Sequence, residues 1–230
     1  MNKSKFLATT LLNVFIFITT AIAVPVTLIF GSRASRLDDL GFPFWQHIVT
    51  FTILSNIFLG LVSLVTAIIA IIKAKTRQPL PKSLTTWYLT AATAAMITCL
   101  TVLFFLAPMR AINSKDYFDM LLEPMFFLHF LNPILSAVIL IFFLDDQKIT
   151  LKSRLLATLP VIIYSFFYLF FVVIIQIWPD FYGVTFGGKY FLIPLVLAAF
   201  FLVTFSVASL LSFCHNHALM NKRRKGVRVV

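Results

Sequence analysis

Six apolar stretches dominate this chain, near residues 6–30, 47–72, 84–108, 120–144, 155–178 and 190–214. A hydrocarbon core of ~30 Å takes roughly 20 helical residues to cross, and each stretch is long enough. Inside lipid every backbone N–H and C=O needs a partner within its own segment, so stretches of this length and continuity are helices. The sequence therefore predicts an all-α, polytopic membrane protein with one domain over residues 1–230. Of its residues 60% are hydrophobic and 12% charged, and the mean hydropathy of +0.99 leaves no room for a soluble module. Any chemistry must sit inside the helix bundle or at its two faces.

The charges orient the bundle. In a soluble protein a net charge of +11 points to nucleic acid. Here fourteen of the nineteen Lys and Arg residues fall on one set of alternating connections and the termini, from Lys3 and Lys5 through Lys73–Lys82 and Lys148–Arg154 to Lys222–Arg228. The other five are Arg33, Arg36, Arg110, Lys115 and Lys189. The positive-inside rule makes the first set cytoplasmic, and with six spans both termini lie on that side. The basic tail is read as touching anionic headgroups, and no nucleic-acid partner is expected. Trp45, Trp178, Tyr182 and Tyr190 are predicted in the outer aromatic belt, with Trp87 and Tyr88 in the inner one. Lys3 and Lys5 with Ala21-Ile22-Ala23 resemble a signal peptide, but the apolar run reaches Ile29, so the first helix is expected to be retained.

Several chemistries lack their residues. Cys99 and Cys214 both lie within predicted spans, which suggests neither a disulfide framework nor a zinc site. No G-x-x-x-x-G-K-[ST], H-E-x-x-H or G-x-S-x-G pattern occurs. No metal or organic cofactor is expected. The connections are short, and the last outer one carries Gly183, Gly187 and Gly188.

Polar residues at membrane depth are informative because lipid penalises them unless they face the bundle interior. In span two Thr52, Ser55, Asn56, Gly60, Ser63 and Thr66 recur at three- and four-residue intervals and form one stripe. Span four carries His129, Asn132, Pro133 and Ser136. Counted from the outer ends at 1.5 Å per residue, Thr52 lies ~8 Å and His129 ~14 Å deep. A hydroxyl and an imidazole on inward faces at comparable depth can meet. Histidine takes and returns a proton near neutrality, and a Thr hydroxyl becomes a useful nucleophile when such a base is bonded to it. Asn13, Tyr164, Tyr168 and Gln176 read as interhelical hydrogen-bonding groups, Glu123 as an interfacial carboxylate, and His47, His215 and His217 as residues of helix ends.

Phe51-Thr52-Ile53-Leu54-Ser55-Asn56 resembles the F-T-x-L-S-N signature of a bacterial six-helix membrane family, and Leu128-His129 followed by Pro133 is similar to its L-H-x-x-x-P segment. That family is distantly similar to the androgen-induced proteins and the androgen-dependent TFPI-regulating protein, membrane threonine hydrolases that cleave fatty-acid esters of hydroxy fatty acids. The resemblance implies a bacterial plasma-membrane protein in which Thr52 is the nucleophile and His129 the base. Where the eukaryotic members tend to carry an acidic or amide residue three positions after the threonine, this chain has Ser55. Ser55, Asn56 and Asn132 flank the pair and are the candidates for binding substrate and its oxyanion. The expected function is an intramembrane lipid-ester hydrolase whose partner is a membrane lipid or lipid-like ester. The rival expectations are a transporter or receptor for a lipid or small molecule, and a structural scaffold.

Overall fold

A computed structural model describes residues 3–30, 44–76, 78–112, 116–122, 124–144 and 147–224. Six of its helices are long and apolar enough to cross a membrane: α1 Ser4–Phe30, α2 Phe51–Thr76, α3 Lys82–Met109, α4 Pro124–Phe142, α5 Leu151–Ile174 and α6 Tyr190–Lys222. Among the described residues no strand occurs. Glu123, residues 31–43 and the tail beyond Arg224 lie outside the described residues.

Small side chains put α3 at the centre. Ala91, Ala92, Thr93, Ala94 and Ala95 are all fully buried, which lets neighbouring backbones approach from every side, as small residues do between membrane helices. α1 packs chiefly along α2, and α4 and α6 close the bundle around α3. At Gly60 of α2, an added Cβ would stand 3.0 Å from Thr20 Cγ2 of α1, so this crossing depends on glycine. α5 and α6 sit at the edge. Phe166, Phe167, Phe170, Phe191 and Phe213 remain exposed on them, a phenylalanine surface suited to lipid acyl chains.

Cross-helix contacts give the direction of each helix. Ser55 near the start of α2 meets Thr98 late in α3, and Asn56 meets Leu128 early in α4. At the opposite end Thr86 of α3 meets Ser153 of α5, and Lys222 of α6 reaches the Phe142 carbonyl. One end of the bundle therefore holds Thr52, Leu128 and the start of α6, and the other gathers Lys73, Lys75, Lys82, Lys152 and Lys222.

Several boundaries differ from the hydropathy pattern: α4 starts at Pro124, after the separate turn Tyr117–Leu121, and α5 lies over Leu151–Ile174; at α2 and α6 the reasons are local. Residues 47–49 belong to a separate tight helical turn, Phe44–Val49. Thr50 ends that turn, its hydroxyl donating to the His47 carbonyl at 2.8 Å while facing the Ile53 N–H at 3.5 Å, so α2 starts only at Phe51 and Thr52 lies in its first turn. α6 runs on to Lys222, and His215 is thus inside a helix instead of at its end. It is fully buried, with Nδ1 2.7 Å from the Leu140 carbonyl and Nε2 2.9 Å from that of Gln147.

Candidate functional site

Several threonines of this bundle satisfy themselves. The hydroxyls of Thr9, Thr27, Thr66, Thr90 and Thr204 each donate to the carbonyl four residues earlier, at 2.6–2.9 Å, a common arrangement for Thr in apolar helices. Thr52 departs from it. Its carbonyl accepts from Ser55 Oγ at 3.1 Å and Asn56 Nδ2 at 2.9 Å, but its hydroxyl has no partner among the described residues. The side chain is half-buried and lines a cavity of about 370 Å³ bounded by α2, α3, α5, α6 and the turn at 182–186. That volume is within the range of small-molecule sites. Among the described residues no Lys, Arg, His, Asp or Glu lines the cavity, so the space suits an uncharged, apolar guest.

His129 stands in a widened helical turn, Phe127–Leu131, and is buried. Its Nδ1 lies 2.7 Å from the Met120 carbonyl in the short turn Tyr117–Leu121. A carbonyl only accepts, so Nδ1 is the donor, and the neutral ring keeps its lone pair on Nε2. This is the tautomer a general base needs. The imidazole is not part of the cavity wall, and no hydrogen bond joins it to Thr52. The ring is held toward Met120, whereas Thr52 faces α3 and α5. Their backbones are nonetheless neighbours, because Asn56 Nδ2 donates both to Thr52 O, at 2.9 Å, and to Leu128 O, at 3.0 Å.

The three flanking residues are all engaged elsewhere. Ser55 Oγ lies 2.9 Å from Thr98 Oγ1 and ties α2 to α3. Asn56 spends its amide hydrogens on the two carbonyls just described, and its buried Oδ1 has no partner among the described residues. Asn132 turns to α1, where Oδ1 accepts from Thr19 at 2.8 Å and Nδ2 donates to Thr20 at 3.2 Å. None of them presents a free donor to the cavity.

The sequence placed Tyr182 in an aromatic belt and Tyr168 among interhelical hydrogen-bonding groups, and did not mark the cavity they roof. Asp180 accepts four hydrogen bonds: from Tyr168 Oη at 2.7 Å, Val184 N at 2.8 Å, Thr185 N at 2.7 Å and Thr185 Oγ1 at 2.6 Å. Burial works to raise its carboxyl, but these hydrogen bonds outweigh burial and hold it below its ordinary value. Tyr182 donates its N–H to Tyr168 at 3.0 Å, and its own hydroxyl accepts from Phe51 N at 3.0 Å. Burial pushes that hydroxyl up to about 12. Tyr182 is thus drawn from its predicted place in an aromatic belt into the wall of the site. Gly183 takes φ +69° to fold the roof back, a conformation glycine adopts without strain. Trp178-Pro179-Asp180-Phe181-Tyr182-Gly183 was the available signal, an aromatic turn ending in glycine and carrying one carboxylate.

Wide turns recur at this end of the bundle: Val102–Leu106 in α3, Phe127–Leu131 in α4 and Phe170–Ile174 in α5. Such turns concentrate at functional sites in helical proteins. Six helices long and apolar enough to cross a membrane suggest a multi-pass membrane protein, and four of them, α2, α3, α5 and α6, bound the cavity. No family model, no curated protein and no solved structure matches the chain.

Proposed function

We propose that this protein binds a long-chain lipid ester in the cavity beside Thr52 and hydrolyses it. The observation that carries the reading is the unpartnered Thr52 hydroxyl on the wall of an uncharged cavity. Thr52 Oγ adds to the ester carbonyl carbon as its proton passes to His129 Nε2. Collapse breaks the bond to the leaving alcohol, which takes that proton. Water then adds to the acyl-threonine, giving its proton to the same nitrogen, and the free acid departs as Thr52 recovers the proton. The reading requires the two side chains to close on each other when ester is bound, as catalytic contacts that are long in an empty site do.

The distribution of basic residues supports a setting with the lysine-rich end cytoplasmic and the Thr52 end outside, and the resemblance of Phe51–Asn56 to a bacterial family implies a bacterial plasma membrane. Substrate then enters laterally from the outer leaflet, between exposed phenylalanines.

A second reading, a lipid receptor or transporter, is favoured because no base among the described residues is bonded to the Thr52 hydroxyl. Fluorophosphonate labelling and hydrolysis of long-chain esters by the purified protein separate the two. Thr52→Ala and His129→Ala are each expected to abolish turnover, the double variant costing little more than either. Thr66→Val, on the same helix but bonded to Val62, retains activity. Full turnover by Thr52→Ala rejects the nucleophile. Saturable ester binding with neither labelling nor turnover selects the receptor.

A further inference from the structure

The cavity has seven hydroxyl-bearing residues on its wall, and most are already committed. Thr98 is bonded to Ser55, Tyr164 to the Val49 carbonyl, Ser165 to that of Val161 and Tyr168 to Asp180, while the Tyr182 hydroxyl oxygen accepts from Phe51 N. Thr52 and Thr101 remain, and neither hydroxyl has a partner among the described residues. Their positions are related. α2 and α3 run antiparallel, and Ser55 and Thr98 touch at 2.9 Å. Three residues further toward the same end on each helix come Thr52 and Thr101. Residues three apart share a helix face, and three residues rise ~4.5 Å, so the two free hydroxyls form the next layer above the Ser55–Thr98 contact.

We infer that Thr101 is a substrate-binding residue that donates its hydroxyl proton to the carbonyl oxygen of the bound ester, opposite Thr52. The inference rests on the reading of the cavity as a lipid-ester site and deepens it. It assigns to Thr101 the donor role that Ser55, Asn56 and Asn132 are too occupied to fill. One neutral acceptor between two hydroxyls, with an apolar wall beyond, selects an uncharged carbonyl group on an acyl chain. A charged headgroup finds no counter-ion among the described residues of the wall. As Thr52 adds to the carbonyl carbon, negative charge gathers on the oxygen that Thr101 already contacts, so the hydrogen bond strengthens as the bond forms.

The test is competition against a photoreactive, diazirine-bearing hexadecyl chain crosslinked to the purified full-length protein. Methyl palmitate and hexadecane serve as competitors. In Thr101→Val, which keeps the shape and loses the hydroxyl, methyl palmitate should compete about three- to tenfold more weakly, the worth of one hydrogen bond. Hexadecane should compete as in the unmodified protein, which also shows that the variant is folded, and Thr101→Ser should restore ester competition. Equal ester competition by Thr101→Val and the unmodified protein overturns the inference and leaves the cavity reading standing. Equal loss for ester and alkane, a packing effect, overturns it as well. If neither competitor displaces the probe from the unmodified protein, the cavity reading itself fails and takes the inference with it.

Discussion

At the scale of single residues, the contrast between Thr52 and the threonines that bond back to their own helix is the informative one. A hydroxyl that bonds back to its own helix is structural; one left open at a cavity wall is available to a ligand. Thr50, two residues away, is structural in another manner, since it caps α2. Removing such a cap costs ~0.5–2 kcal/mol, so it serves poorly as an inert control. Asp180 yields a pH prediction. Its carboxyl is held below its ordinary value, so its contribution to the roof is fully present above ~3.9, the unfolded value, and is lost as pH falls through the lower folded value. Trp178, whose ring centroid is 4.6 Å from that of Phe171, reports on this. In a protein lacking the other two tryptophans, its emission should hold constant from neutrality to about pH 4 and change only below. Asp180→Asn should show the altered emission already at neutral pH. A transition centred near pH 6 in the unmodified protein would show that another group holds the roof.

At the scale of helices, the α1–α2 pair depends on close approach. Thr20, which Gly60 meets, is also the acceptor for Asn132, so it cannot move aside without disturbing a tie to α4. Gly60→Leu should destabilise the protein by ~1–3 kcal/mol, the usual cost of overpacking, seen as a lower thermal midpoint in detergent. An unchanged midpoint would show that the crossing tolerates bulk. The three widened turns have a common consequence. Each shifts the helix face beyond it relative to a straight α-helix, and in α4 that turn carries His129 itself. A depth argument based on 1.5 Å per residue gives the level of such a side chain, and leaves its azimuth open.

For the whole molecule, the expected topology has both termini on the cytoplasmic side. Reporter fusions after Lys82 and after Arg228 should read cytoplasmic, and one near Asp116 external. An external C-terminus would invert the proposed entry of substrate from the outer leaflet. The lysine-rich end is tied by Asn216, which exchanges hydrogen bonds with Ile149 at 2.9 and 3.0 Å, while at the cavity end the roof residues supply the closure. A bundle tied at one end and cavitated at the other can admit a ligand without losing its fold.

The sequence by itself determined the number of spans and their helical nature, because lipid leaves an apolar run of twenty residues little other choice. It also picked out the polar faces of α2 and α4, since period 3.6 is visible in one dimension. Tertiary structure decided what those faces do. Asn132 and His129 sit three residues apart in the sequence, yet one bonds to α1 and the other to the turn before α4, through partners over a hundred residues away in one case and nine in the other. No role for Thr101 or Asp180 is legible in the sequence, because an isolated Thr or Asp carries no periodic signal. Their roles come from which hydroxyls and N–H groups packing leaves near them, and packing is a property of the folded chain alone.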